Sequence, residues 1–508
     1  MPGNALTIPE ILTRIGFFLP SWVANPRPNH NGNCGYVPYL DRPRTLLNCM
    51  LVSKQWYQVM TPILWYTCLA PRIRAVPAAT FERFHHHVRI LELKDSNTFF
   101  PWSAFQCRQL LDLTITVRSN LDFCKELVRV NPDLKSLWWN GMIGWTKAPL
   151  DPELFSGLKR LESLTLIQWD GSGELLAHTL RVVAKTLTNL DLRFITGVKI
   201  RDITWTDKGV SPEDIVDSSG RGDSRAGNGC HEQKAKLLKF SLCLPLLRDL
   251  SLSLSKGGRL ESLVSCCPGL ESLVLSAHDR ADLDRVAQGI RSSCPKLRSL
   301  RVQSYMTPTR ILPLLRSCPS TPGLQVLSLY LSHLEADVAS VILIHASTLT
   351  NLNLTISLSY GPFLPPIVRL LEGCQQLETL SLEVHEGCGI DLLAAFGSRP
   401  WGCRRLKTLC LNLAFKLGDT WPPGEGTRRE TSSEALEEAS RDDEALYDIS
   451  SARPAMGWLL ASGRRDDRLG HTDKLRMLFK MIERFELKDL RFVKWNYRTY
   501  MRARPLQS

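Results

Sequence analysis

The sequence lacks any apolar run long enough to form a membrane helix. Although 44% of its 508 residues are hydrophobic, its longest predominantly apolar stretches, such as residues 338–344, fall far short of the roughly 18–20 residues that span a bilayer. Residues 1–7 also lack the basic and apolar segments of a secretory signal. We therefore expect no membrane partner, and we expect cytoplasmic and/or nuclear localisation.

The sequence also lacks the motifs of common catalytic classes. It has no Gly-x-Ser-x-Gly elbow, no Gly-x-x-x-x-Gly-Lys phosphate loop and no His-Glu-x-x-His metal motif. The 63 Lys and Arg exceed the 51 Asp and Glu, but they are spread along the chain instead of forming one basic patch. We therefore expect no enzymatic activity, no cofactor and no metal site, with nucleic-acid binding left as a minor alternative.

What the sequence does contain is a repeated Leu-x-x-Leu-x-Leu motif. Apart from one longer gap, successive copies follow at the roughly 20–29-residue spacing of leucine-rich repeats. In a short strand, alternate side chains share a face, so the last two apolar residues of each copy point inward and stacked copies bury one core. Weaker copies occupy residues 88–93, 110–115 and 487–492. The strong copies begin at Leu134, Leu161, Leu187, Leu247, Leu270, Leu297, Leu324, Leu349, Leu377 and Leu406.

The segments between the motifs predict helices and interruptions. Residues 282–292 place apolar side chains at helical spacing. Four cysteines each precede a motif by three residues, and because they recur once per repeat we expect buried thiols at the helix-to-strand corner instead of converging metal ligands. Residues 202–236 and 418–468 are polar, charged or rich in Pro and Gly, so we expect solvated insertions there. The four cysteines are Cys267, Cys294, Cys374 and Cys403.

Residues 4–69 do not follow the repeat. They predict a helix with Pro9 in its first turn and an apolar stripe on one side. A second amphipathic helix is predicted at residues 46–59, after a Pro/Asn/Gly-rich loop at residues 21–44. So few apolar residues do not make a stable domain, and we expect a partner or the adjoining repeats to cover them. The stripe consists of Ile11, Leu12, Ile15 and Leu19.

The short motifs of this region resemble those of an F-box. Residues 8–12 read Ile-Pro-Glu-Ile-Leu, residues 52–56 read Val-Ser-Lys-Gln-Trp and residues 64–65 read Leu-Trp. Together with the repeats they make the chain similar to the F-box/leucine-rich-repeat proteins found widely in fungi, although the loop at 21–44 is longer than in that family. The resemblance implies an α/β fold in which a short N-terminal all-α F-box precedes a leucine-rich-repeat solenoid. Its parallel strands form the concave face and its helices the convex face.

The resemblance also implies a function, that of the substrate-recognition subunit of an SCF-type ubiquitin ligase. Residues 4–69 would bind a Skp-type adaptor and through it a cullin–RING ligase, and the repeats of residues 88–495 would bind a substrate protein. Two alternatives stay open: the N-terminal residues only cap the repeats, or the chain is a non-catalytic interaction scaffold with no ubiquitin role. The implied adaptor-binding residues are Pro9, Ile11, Leu12, Ile15, Leu19, Val52 and Trp56.

The substrate surface is predicted from alternation along the strands. Residues that alternate with the inward leucines face outward on the concave sheet. Most of them are small or polar, so the aromatic, arginine and carboxylate exceptions are candidates for an interface. The alternative is that Trp138 packs on a neighbouring repeat and that the others are ordinary surface residues. The candidates are Trp138, Arg193, Arg301, Tyr330 and Glu383.

Overall fold

The computed structural model forms two compact units. Unit 1 comprises Met1–Leu270 with Ser292–Cys294, and unit 2 comprises Glu271–Arg291 with Pro295–Ser508. No helix among the described residues is both long and apolar enough to cross a membrane. The described residues are 9–18, 22–26, 36–40, 44–69, 76–94, 107–116, 121–140, 153–168, 173–195, 242–254, 260–277, 282–357, 364–385, 401–413, 458–462, 478, 490, 492–495 and 498–502.

Three short helices open unit 1: α1 (Pro9–Phe18), α2 (Arg44–Met50) and α3 (Lys54–Trp65). The predicted single helix at 46–59 is wrong, because Ser53 separates α2 from α3. Its hydroxyl accepts a hydrogen bond from the backbone N–H of Trp56 at 3.2 Å, which is the capping contact that begins a new helix.

The insertion between the first two helices is also not purely a loop. Strands β1 (Trp22–Pro26) and β2 (Tyr36–Leu40) pair in antiparallel fashion. Both contain the β-branched and aromatic residues that favour strands. The prediction of an all-α N-terminal region with a loop at 21–44 is therefore corrected: a two-stranded ribbon joins the three helices.

The repeats of unit 1 form a parallel sheet whose strands pair in chain order. Its first strand lies inside the region predicted as F-box and pairs with the first repeat strand. The strands are β3 (Thr67–Leu69), β4 (Ile90–Lys94), β5 (Asp112–Thr116), β6 (Ser136–Asn140), β7 (Ser163–Ile167), β8 (Asn189–Arg193) and β9 (Asp249–Leu254). The α-helices between them are α4 (Ala78–Phe84), α5 (Leu121–Arg129), α6 (Glu153–Ser156) and α7 (Gly173–Val183), and 3-10 helices occupy His85–His87 and Leu260–Cys266.

Unit 2 continues the same alternation of strand and helix. Its parallel strands are β10 (Ser272–Ala277), β11 (Ser299–Met306), β12 (Val326–Leu331), β13 (Asn351–Ile356), β14 (Thr379–Val384) and β15 (Thr408–Leu413). The helices are α8 (Leu283–Ser293), α9 (Pro308–Ser317), α10 (Ala336–Leu343) and α11 (Leu364–Gly373). Beyond β15 lie β16 (Trp458–Ser462), β17 (Phe492–Trp495) and β18 (Arg498–Arg502). Strand β17 is parallel to β15, whereas β18 is antiparallel to both β17 and β16.

The repeated leucines align across the strands and form the core. Leu352 pairs in register with Leu327 on one side and Leu380 on the other, and all three are at most 3% exposed. Burying one such ladder on the helical side of each sheet explains why the motif recurs once per strand. The predicted α/β leucine-rich-repeat fold class is thereby confirmed.

Two predictions near the C-terminus need correction. The last repeat copy is three residues later than residues 487–492, because Val493 pairs with Leu409 while Leu490 and Val493 are fully buried. The predicted insertion at 418–468 includes the strand β16. The rest of that segment and the predicted insertion at 202–236 lie outside the described residues.

The corner cysteines occupy the positions predicted for them. All four are fully buried, and burial raises the pKa of the Cys294 and Cys403 thiols to about 12. Each thiol therefore stays protonated at neutral pH. The same corner holds Asn131 in another repeat, where its side-chain amide donates to the carbonyls of Cys107 (2.6 Å) and Leu127 (2.7 Å). Both a buried thiol and a hydrogen-bonded side-chain amide therefore fit at this corner.

Candidate interaction surfaces

The three N-terminal helices leave a group of large apolar side chains in solvent. More than half of the exposed large hydrophobic residues of the described chain lie within its first 52 residues. Exposed apolar side chains concentrated in one small region mark a binding surface more often than scattered ones do. We call this group the N-terminal apolar surface: Ile11 (37% exposed), Phe17 (41%), Leu47 (45%), Leu51 (85%) and Val52 (67%).

The predicted adaptor-binding residues divide between this surface and the core. Pro9, Ile11 and Val52 are exposed, while Ile15 and Trp56 are half-buried. Leu19 lies outside the described residues.

Leu12, one of the implied adaptor-binding residues, lies in the interior of the N-terminal helices instead of on their surface. Leu12 is fully buried in a cluster with Leu46, Met60 and Ile63. Helix α1 turns this side inward because Gly16, one turn later, lets it approach α3 closely: a methyl group at Gly16 would overlap Ile63 and Met60. Leu12 therefore stabilises the helices.

The N-terminal helices also contact the first repeat through aromatic rings. The Trp65 ring stacks on Phe84 with centroids 5.2 Å apart, and it meets Phe81 edge-on at 6.0 Å. Within the N-terminal region, Phe17 packs edge-on against Tyr66, the residue that follows α3, at 6.1 Å. The helices thus cover the end of the repeats and still expose the apolar surface, so capping alone does not account for all of their apolar residues.

The sheet face opposite the leucine ladder, predicted to be concave, is called the open face below. In unit 1 it carries Trp138 on β6 and Arg193 on β8, which were predicted as substrate-binding residues. Both are buried, at 8% and 6% exposure. The Arg193 guanidinium lies 5.5 Å from the Trp138 ring centroid, and its Nε donates to Asp191 Oδ1 at 3.0 Å. These two side chains are packed against each other, so their prediction as exposed contacts is corrected.

The open face of unit 2 has a different character because β11 is irregular. Val302 pairs with Leu329 and Met306 with Leu331, so three residues of β11 stand opposite Tyr330 alone. Such a bulge re-aims the side chains of the bulged strand. It is held by Ser304, whose hydroxyl accepts from the N–H of Ala277 at 2.9 Å. Tyr305, at the end of the bulge, is 48% exposed.

Tyr305 is the centre of a group of aromatic and polar side chains. Its ring meets that of Tyr330 at 5.9 Å and 78°, and that of His385 at 6.4 Å and 72°. Glu383 Oε1 accepts from Asn412 Nδ2 at 2.7 Å and lies 3.9 Å from His385 Nε2. We call these five residues the aromatic–acidic cluster.

The carboxylate gives this cluster a negative field. Partial burial, followed by the charge of Glu383 and then Tyr330, raises the pKa of the Tyr305 phenol. An anion disfavours ionisation of a neighbouring phenol, and the same field favours a cation. The site is therefore suited to a positively charged group.

The sequence prediction found Tyr330 and Glu383 of this cluster but missed Tyr305 and His385. His385 continues the strand alternation two positions past Glu383, and Tyr305 lies four positions past Arg301 on β11. Arg301 lies earlier on β11, opposite Ser328 in the register, and is half-buried.

No group of three His, Cys, Asp or Glu side chains suited to a metal ion is present in the described part of the chain. His85, His86 and His87 form a single 3-10 turn. The ring of His86 lies 3.8 Å from that of His87. The rings of these three histidines thus pack with one another.

No protein-family model matches the chain, and no curated protein matches it. Among solved structures, it is similar to the TLR13 chain of a complex with the RNA ssRNA13, at 16% sequence identity and a TM-score of 0.28. The match covers 69% of this chain and 55% of that one, so the chain spans about half the length of this neighbour. A similarity of this size carries no information on function.

Proposed function

We propose that the chain is the substrate-recognition subunit of an SCF-type ubiquitin ligase. In this proposal the N-terminal helices bind a Skp-type adaptor, which connects them to a cullin–RING ligase, and the open face of the repeats binds a substrate protein. The chain itself then performs no catalysis and needs no cofactor or metal. Its partners would place it in the cytoplasm and/or the nucleus.

The observation that carries the proposal is the N-terminal apolar surface. Leu51 and Val52 form the turn between α2 and α3 and are the most exposed of its members. Val52 is the first residue of the motif at residues 52–56 that resembles an F-box, Leu51 directly precedes it, and Ser53 caps α3. A helical corner that presents branched apolar side chains is suited to insertion into an apolar groove of a partner.

The test is capture of a purified Skp-type adaptor by the full chain. L51D/V52D places two charges on the proposed contact without removing a buried side chain. Residues at the centre of an interface often contribute about 2 kcal/mol or more, so we expect capture to fall by more than about thirtyfold. The matched control is L246D, which changes a leucine that is 49% exposed in the repeats of unit 1, and it should capture adaptor normally.

Two results would contradict the proposal. Undiminished capture by a folded L51D/V52D variant would move the contact elsewhere and leave the N-terminal helices as a cap. Absence of adaptor capture by the unaltered chain would favour the second candidate, an interaction scaffold without a ubiquitin role.

A further inference from the structure

The aromatic–acidic cluster combines two features that recognise cations. Tyr305 and Tyr330 present aromatic rings, whose faces attract an ammonium or guanidinium group. Glu383 supplies a full negative charge beside them, and its side chain is 29% exposed. Asn412 holds one carboxylate oxygen, so the carboxylate is oriented before any ligand arrives.

The bulge in β11 creates this arrangement. In the regular strand pairs around it, each outward residue faces one neighbour in register, as Thr355 faces Glu383. Because β11 has two extra residues, Tyr305 is displaced along the strand from regular register. Its ring therefore contacts the rings of both Tyr330 and His385. An irregularity that brings side chains of three strands together is typical of a binding site.

The open face beside the cluster carries short side chains. Between β12 and β14, strand β13 contributes Asn351, Asn353 and Thr355 to this face, and Ser381 precedes Glu383 on β14. Thr355 is closed to solvent at 1% exposure, whereas Asn353 and Ser381 are partly exposed. These side chains are short, whereas the repeats of unit 1 fill the same face with Trp138 and Arg193. A chain lying across the short side chains would place one of its own side chains at the rings.

We propose that the aromatic–acidic cluster binds a lysine or arginine side chain of a partner protein, with the cation between the tyrosine rings and the Glu383 carboxylate. This proposal deepens the substrate-recognition function by naming a chemical feature of the substrate. Binding of the cation is independent of the adaptor, so the two proposals can fail separately.

The experiment uses peptide libraries and the immobilised full-length chain. Each library has flanks randomised over uncharged residues and one fixed central residue, which is Arg, Lys, citrulline or Glu. Citrulline keeps the shape of arginine without its charge. We expect the Arg and Lys libraries to be captured at least about fivefold better than the citrulline and Glu libraries, since one cation–aromatic contact contributes about this factor.

Variants separate this site from general charge attraction. E383Q and Y305L should each reduce the preference for Arg and Lys to near unity, whereas Y305F, which keeps the ring, should retain it. The matched control is E335Q: Glu335 Oε1 lies 2.9 Å from His333 Nε2 in unit 2, a Glu–His pair outside the cluster. Its preference should equal that of the unaltered chain.

The proposal is wrong if no library is preferred, if the Glu library is preferred, or if E383Q keeps the full preference. It is also wrong if E335Q loses as much of the preference for Arg and Lys as E383Q does, because the preference would then depend on the overall charge of the chain. A chain that captures the adaptor but shows no preference for cations would retain its proposed function and lose only this inference.

Discussion

The open faces of both units carry aromatic and charged side chains. Those of unit 1 are buried and paired with one another, whereas those of unit 2 are partly exposed. In unit 1 an aromatic ring, an arginine and an aspartate satisfy one another and are nearly closed to solvent. In unit 2 two aromatic rings surround a carboxylate, with no described contact between that carboxylate and a lysine or arginine, and the central ring is half exposed. An aromatic and charged cluster on a repeat sheet is therefore a structural element where it contains its own cation. It is a candidate binding site where, among the described residues, no lysine or arginine pairs with its carboxylate.

The largest expected effect follows from removing the cation of unit 1. R193A leaves the buried Asp191 carboxylate without its ion pair and the Trp138 ring without its cover. We expect the free energy of unfolding of unit 1 to fall by about 3–5 kcal/mol, the usual cost of breaking a buried ion pair from one side. Urea denaturation followed by tryptophan fluorescence measures it.

The double variant D191A/R193A is the control for that experiment. It removes both charges, so it should be less destabilised than the sum of the two single variants. If R193A costs less than about 1 kcal/mol, Arg193 is an ordinary surface residue and the contrast between the two faces fails.

A second expected effect separates buried from exposed positions on α1. L12A removes a fully buried side chain from a cluster of four residues, so we expect a loss of about 2–5 kcal/mol in the free energy of unfolding of the N-terminal helices. I11A changes the adjacent, partly exposed residue and should cost about 1 kcal/mol or less. Hydrogen exchange of α1–α3 reports both. Equal effects of the two variants would overturn the burial pattern of this helix.

Some parts of the fold could be predicted from the order of residues within each repeat. The leucine ladder was predictable because a period-two strand pattern recurring once per repeat fixes which residues are inside. The burial of Cys267 and Cys294 followed from the same period. The β1–β2 ribbon was not predicted, because short strands depend on pairing with elements distant in the chain. The break at Ser53 was also missed, although a serine that caps the following helix is a local signal.

The candidate sites were predictable only in part, for a related reason. Alternation correctly places Trp138 and Tyr330 on the same kind of face, but it gives no information on whether another side chain covers them. Arg193 reaches Trp138 across two strand spacings, and Tyr305 reaches His385 because of a bulge. Neither a long flexible side chain nor a bulge leaves a periodic signal in the sequence.

The smallest expected effect is that of E383Q on the stability of unit 2. In E383Q the side-chain amide oxygen can still accept the hydrogen bond of Asn412, and the position is partly exposed. We therefore expect the free energy of unfolding of unit 2 to change by no more than about 0.5 kcal/mol, measured by the same urea denaturation as R193A. A loss above about 1 kcal/mol would mean that the carboxylate supports the fold, as Asp191 does in unit 1. A negligible change combined with loss of the preference for lysine and arginine would mean that this charge serves a ligand and not the fold.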